Sequence, residues 1–98
     1  MKIPQDCSSI EEVRREIDNI DNEIIDLIGK RLSFVREIIK YKSNAEEIYA
    51  KERYHHVIEK RRELAKVYQL NPDVIENIYR VMMDYFIKEQ FNLLKTKI

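Results

Sequence analysis

In the stretch GKRLSFVREIIKYK, residues 29–42, Arg31 and Lys42 stand where a helical pattern calls for leucine or isoleucine. At about 100° per residue, Arg31 shares the angular position of Val13, and Val35, Ile38 and Lys42 lie within about 40° of it. One cation so placed is explained by a glutamate partner, or by snorkelling its head to the end of a bundle. Two on one stripe call for an anion, because burying an unpaired charge costs several kcal/mol. Along a helix their Cα atoms are about 16 Å apart, so long side chains reaching inward would grip both ends of a small dianion, and a dicarboxylate fits that gap. Gln90 adds an amide at helical spacing from Met83, Phe86 and Leu93, on a buried face where it needs hydrogen-bond partners. Taken alone, a core glutamine capping a neighbouring carbonyl explains it equally well. Arg14, beside the stripe, reads most simply as a solvated arginine; it lies about 25 Å before Arg31 on the same helix, so the two can share a small ligand only across an antiparallel dimer.

Helices must position these residues. The chain of 98 residues has one Gly, two Pro and 44% hydrophobic content, which implies a single all-α domain over residues 1–98 with few breaks. Ser9 followed by Glu12 matches a capping box, so the first helix starts near residue 9 or 10. Val13, Ile17, Ile20, Ile24, Leu27, Ile28, Val35 and Ile38 then recur at steps of three and four, one buried stripe running to Tyr41 or Lys42. Such a helix is roughly 50 Å long, more than the rest of the chain can cover, and a second copy is the expected cover. SNAEEIYA reads as a polar loop, with Glu46 and Glu47 able to join a short turn. A second helix spans Lys51 to Tyr68 with Tyr54, Val57, Ile58, Leu64 and Tyr68 inward. Asn71 as N-cap and Pro72 at the first helical position start the third, whose apolar face is Ile75, Ile78, Tyr79, Met82, Met83, Phe86 and Leu93. The pattern is long, medium, long.

Composition narrows the chemistry. Eighteen basic and 18 acidic side chains cancel, which argues against a general nucleic-acid binder. Cys7 is the only cysteine, so neither an intrachain disulfide nor a cysteine-based zinc site is expected, and a reducing cytoplasm is the default compartment. The leading MKIPQDCSS is polar, no run approaches membrane-spanning length, and neither export nor membrane insertion is expected. No Ser-His-Asp set, metal motif or glycine-rich phosphate loop stands out. His55 and His56 project about 100° apart and cannot form an i, i+4 metal pair; they read as surface residues.

Nearly the whole chain resembles the small all-helical chorismate mutases, and more closely their isochorismate pyruvate lyase branch. The likeness rests on IPQDCSSIEEVRREIDNIDNEIIDLIGKRLSFV, on KYK, on AKERYHHVIEKRRELA and on LNPDVIENIYRVMMDYFIKEQ. It implies an intertwined homodimer with two shared sites and no cofactor, each site taking its Arg14 from the partner subunit. By the same resemblance, Arg31 and Arg14 hold substrate carboxylates, Lys42 meets the ether oxygen and Gln90 meets polar atoms of the substrate. Glu52 and Arg53 are possible contacts to a ring hydroxyl or carboxylate, although ordinary helix-terminal charge explains them nearly as well; Val35, Ile38 and Phe86 are possible walls.

The implied chemistry fits what the sequence lacks. Chorismate and isochorismate are dianions carrying an enolpyruvyl ether, and they react through a cyclic transition state without an enzyme nucleophile. Catalysis then comes from holding a reactive conformer and placing positive charge by the breaking C–O bond. The opening IPQDC resembles the lyase branch, and Phe86, beside Tyr85, stands where mutases often carry a small polar residue one turn before the glutamine. The favoured expectation is a lyase giving salicylate and pyruvate, with weak mutase activity and a role in supplying salicylate for siderophores. A chorismate mutase is the alternative, and a non-catalytic helical dimerisation module is the alternative of another class.

Overall fold

The computed structural model describes residues 3–97 and is all-α, with no strand among the described residues. The long, medium, long pattern is present as α1 (Ile10–Ile38), α3 (Lys51–Val67) and α4 (Pro72–Lys97), and a five-residue helix α2 (Ala45–Tyr49) lies between the first two. Single 3₁₀ turns occupy Pro4–Asp6 and Ile39–Tyr41. No described helix is long and apolar enough to cross a membrane. The chain divides into two compact units, Met1–Phe34 and Val35–Ile98.

In the first unit, Ser9 Oγ accepts from Glu12 N at 3.2 Å, as a capping residue should. The Glu12 carboxylate reaches back one residue further than a capping box requires, accepting from the N–H and the hydroxyl of Ser8. The helical register is as expected, but the stripe is bare within a single chain. Ile10, Val13, Ile17, Ile20, Ile24 and Ile28 are all exposed, and among the described residues only Leu32 of this unit's apolar side chains is buried. A single chain thus leaves most of the helix's apolar face in water, which is costly for so many isoleucines.

The second unit is organised by α4, against which α3, α2 and the Ile39–Tyr41 turn all pack. Its core joins Val57 and Ile58 of α3 to Met83 of α4, with Tyr54 and Tyr79 packed alongside. Asn71 caps α4 as expected, its Oδ1 accepting from Asp73 N at 2.9 Å and Val74 N at 3.4 Å. Arg62 of α3 then bridges to Asp73 and Glu76 of α4, both at 2.8 Å. Three expected core residues of α3 and α4 are exposed instead: Leu64, Tyr68 and Ile78. Ala65, in line with Ile58, takes the buried position on α3, and Leu64 and Tyr68 rim a depression of about 170 Å³.

Two turns are made without glycine. Ala50, between α2 and α3, and Gln69, after α3, have positive φ of 41° and 59°. At the second, Leu70 N donates to Ala65 O at 2.8 Å and Gln69 N to Lys66 O at 3.1 Å, closing α3 with a Schellman motif.

Candidate active site

Lys42 owes its position to the way α1 ends. The helix tightens at Ile39, whose buried side chain anchors the turn, and Lys42 follows with φ −116° and ψ 140°. It is therefore extended backbone and no longer a residue of the helical stripe, which corrects the angular argument as it applied to Lys42. The Lys42 ammonium donates to Gln90 Oε1 at 3.0 Å and to the Ile48 carbonyl at 3.5 Å. Two residues nominated separately by the sequence are thus in direct contact.

Gln90 is only 6% exposed, on the same face of α4 as Met83 and Phe86. An amide so buried needs a partner, and the ammonium supplies it. Phe86, 2% exposed, lies one turn before Gln90 and packs edge-on against the Tyr85 ring. The cation meets neutral oxygens from two elements. Burial lowers the Lys42 pKa from its ordinary value, and the Glu47 carboxylate acts the other way with a smaller effect. Neutral acceptors on α2 and α4 thus orient the ammonium.

The short helix α2 supplies the carbonyl, in a segment where a polar loop with a short turn at Glu46 and Glu47 is expected. Asn44 Oδ1 accepts from Glu47 N at 2.9 Å, while the Glu47 carboxylate accepts from Ser43 N and Ser43 Oγ, both at 3.1 Å. The spacing repeats that of Ser8, Ser9 and Glu12, so the signal for a helix start was present in Ser43-Asn44-x-x-Glu47. Ile48, 1% exposed, pins α2 to the unit.

The remaining nominated residues divide between the two units. Arg31 is half-buried and Arg14 exposed, both on the first unit. In the second, Val35 is half-buried, Ile38 is exposed, and Glu52 and Arg53 are exposed in the first turn of α3. None of the nominated residues lines the open groove of about 520 Å³ formed by Glu46, Tyr49, Lys51, Tyr54, His55, Asp84 and Ile87. That groove's polar feature is a 2.9 Å hydrogen bond from Tyr54 to Asp84, which with burial raises the Tyr54 pKa. A half-buried cation in contact with a buried amide is the stronger candidate for a site that takes a small anion.

Comparison with known proteins agrees with the all-α fold. Residues 13–91 match the family described as Chorismate mutase type II. The chain is 29% identical over 90 residues to the isochorismate pyruvate lyase of Pseudomonas aeruginosa, covering 92% of this chain and 89% of that protein. It is 35% identical over 86 residues to the T-protein of Enterobacter agglomerans, of which it spans 23%. The chorismate mutase of Methanocaldococcus jannaschii is 27% identical over 75 residues, 76% of each chain. With a family match running through most of α1, all of α3 and the site-bearing part of α4, the chain belongs to the chorismate mutase type II family.

Proposed function

We propose that this protein is an isochorismate pyruvate lyase, converting isochorismate to salicylate and pyruvate by a cofactor-free pericyclic elimination, with weak chorismate mutase activity. The observation that carries the reading is the Lys42–Gln90 hydrogen bond, which sets a partly desolvated ammonium against neutral acceptors. In the reaction, electron density moves onto the ether oxygen as the C–O bond breaks, and Lys42 stabilises it there. Gln90 keeps the ammonium aimed and offers its amide to polar atoms of the substrate. Arg31 and the partner's Arg14 take the carboxylates. Phe86 favours elimination over rearrangement by reshaping the pocket wall beside Gln90, and the lyase relative covers nearly the full length of both chains.

The site is shared in a homodimer. Support comes from the isoleucine stripe of α1, which one chain leaves in water from Ile10 to Ile28. A second copy presents the same stripe, and an isologous pairing buries both at once. The dimer works in the cytoplasm, and salicylate from it serves siderophore assembly; these steps follow from the lyase reading and from the single cysteine.

The family match and the mutase relative favour a second reading, chorismate to prephenate. Incubating the purified protein with isochorismate and, separately, with chorismate distinguishes them. Salicylate and pyruvate from isochorismate at a kcat/KM well above that for chorismate is the expected result. Efficient prephenate formation with no salicylate overturns the lyase reading in favour of the mutase. A protein that turns over neither, and gains no thermal stability from a dicarboxylate analogue, is the non-catalytic module.

A further inference from the structure

Lys42 is followed at once by a segment held more tightly than its length warrants. Glu47 Oε2 accepts from Ser43 N, and its Oε1 accepts from both Ser43 Oγ and Asn44 Nδ2, all at 3.1 Å. Asn44 Oδ1 returns the contact by accepting from Glu47 N at 2.9 Å. These four bonds lie between Lys42 and Ile48, the two residues joined by the 3.5 Å contact from ammonium to carbonyl. A helix of five residues, Ala45–Tyr49, has no stability of its own, because nucleation costs more than so few turns return. Something other than propensity must keep the Ile48 carbonyl where Lys42 meets it.

We infer that Glu47 is a positioning residue for Lys42: by locking Ser43 and Asn44 it sets the short helix that carries the Ile48 carbonyl to the ammonium. The similar Ser8-Ser9-Glu12 cap shows that such a device can serve a helix start alone. What distinguishes Glu47 is its place between both partners of the Lys42–Ile48 contact, together with its charge. The Ile48 carbonyl on α2 and Gln90 Oε1 on α4 are neutral acceptors for the ammonium, whereas the Glu47 carboxylate carries charge and favours the charged form that burial opposes. Glu47 therefore acts on Lys42 twice, through the backbone it orders and through its field. Neither role requires contact with substrate. The catalytic consequence rests on the proposed function; the effect on Lys42 does not.

The test reads Lys42 directly. In protein labelled with ¹³C-lysine, the Lys42 signal is assigned by its loss in Lys42→Met and titrated in the parent, Glu47→Gln and Glu46→Gln. The expected result is a Lys42 titration in Glu47→Gln displaced by roughly half to one pH unit toward acid, with kcat at pH 8 down about tenfold and KM little changed. Glu46→Gln removes the same charge one residue away and should move neither. Glu47→Asp keeps the charge and should return the titration most of the way. Should Glu47→Gln lose its helical circular dichroism, Asn44→Ala breaks the same cap with the charge intact and should lower kcat by a similar factor. A Lys42 titration unchanged in folded Glu47→Gln, or kcat unchanged in Asn44→Ala, overturns the inference. If Lys42 shifts as expected in a protein that turns over neither substrate, the positioning of Lys42 stands and the functional reading falls.

Discussion

Lys42 Nζ and Gln90 Oε1, 48 residues apart in sequence, lie 3.0 Å apart across the end of α1 and the buried face of α4. If that ammonium stabilises charge growing on the ether oxygen, Lys42→Met should lower kcat by about 10² to 10³ while KM changes little. The fold should persist, because the substitution removes a cation whose burial is unfavourable. Thermal midpoint and single-turnover rate are to be measured on one preparation. A destabilised protein with normal turnover would make Lys42 a structural residue.

The lowered pKa of Lys42 predicts opposite pH trends for activity and stability. If activity needs the ammonium, kcat should fall as pH rises through the folded-state pKa, below the ordinary 10.5. For stability, both states are charged below the folded pKa and the desolvation cost is fully present. Between the folded pKa and 10.5 the unfolded chain binds the extra proton, so stability from this group rises with pH. The stability gap between Lys42→Met and the parent should therefore narrow in that window, as urea midpoints at a series of pH values will read. A gap that widens there contradicts the assigned direction.

The exposed isoleucines of α1 predict a dimer at micromolar concentration, with an unfolding midpoint that rises with protein concentration. Ile17→Glu and Ile24→Glu, placed in mid-stripe, should shift sedimentation toward monomer and reduce activity together. Full activity in a species of monomeric mass would remove the case for a shared site.

Shared sites also predict complementation. Arg14→Ala and Arg31→Ala chains, each inactive alone, should recover activity after subunit exchange, because one of the two sites in the mixed dimer has both arginines. Up to about one quarter of parental turnover is expected when half of the molecules are mixed dimers with one intact site each. Verified exchange without recovery would place both arginines in the same chain's site or in none.

The cap of α4 offers a stability test away from the site. Asn71→Ala leaves Asp73 N and Val74 N without their side-chain acceptor and should cost about 1 kcal/mol. Turnover per folded molecule should be unchanged, as denaturant titration and active-site titration together will show.

What the sequence determined by itself was whatever local chemistry repeats. The all-α class, the start of α1 at a serine cap and the start of α4 at Asn71-Pro72 follow from spacing and backbone chemistry, which act within a few residues. The same local logic was written in Ser43-Asn44-x-x-Glu47, yet five helical residues carry no periodicity to support it, and α2 was legible only in part. Tertiary structure decided the rest. Angular projection set Lys42 on the helical stripe, whereas the chain leaves the helix at Ile39 because that side chain is buried in the second unit, and the ammonium meets Gln90 from extended backbone. Ala50 and Gln69 turn the chain with positive φ, where no glycine marks the place. Leu64 and Ala65 are both apolar and adjacent, and which one is buried depends on how α4 lies against α3, a long-range contact that no pattern within either helix contains.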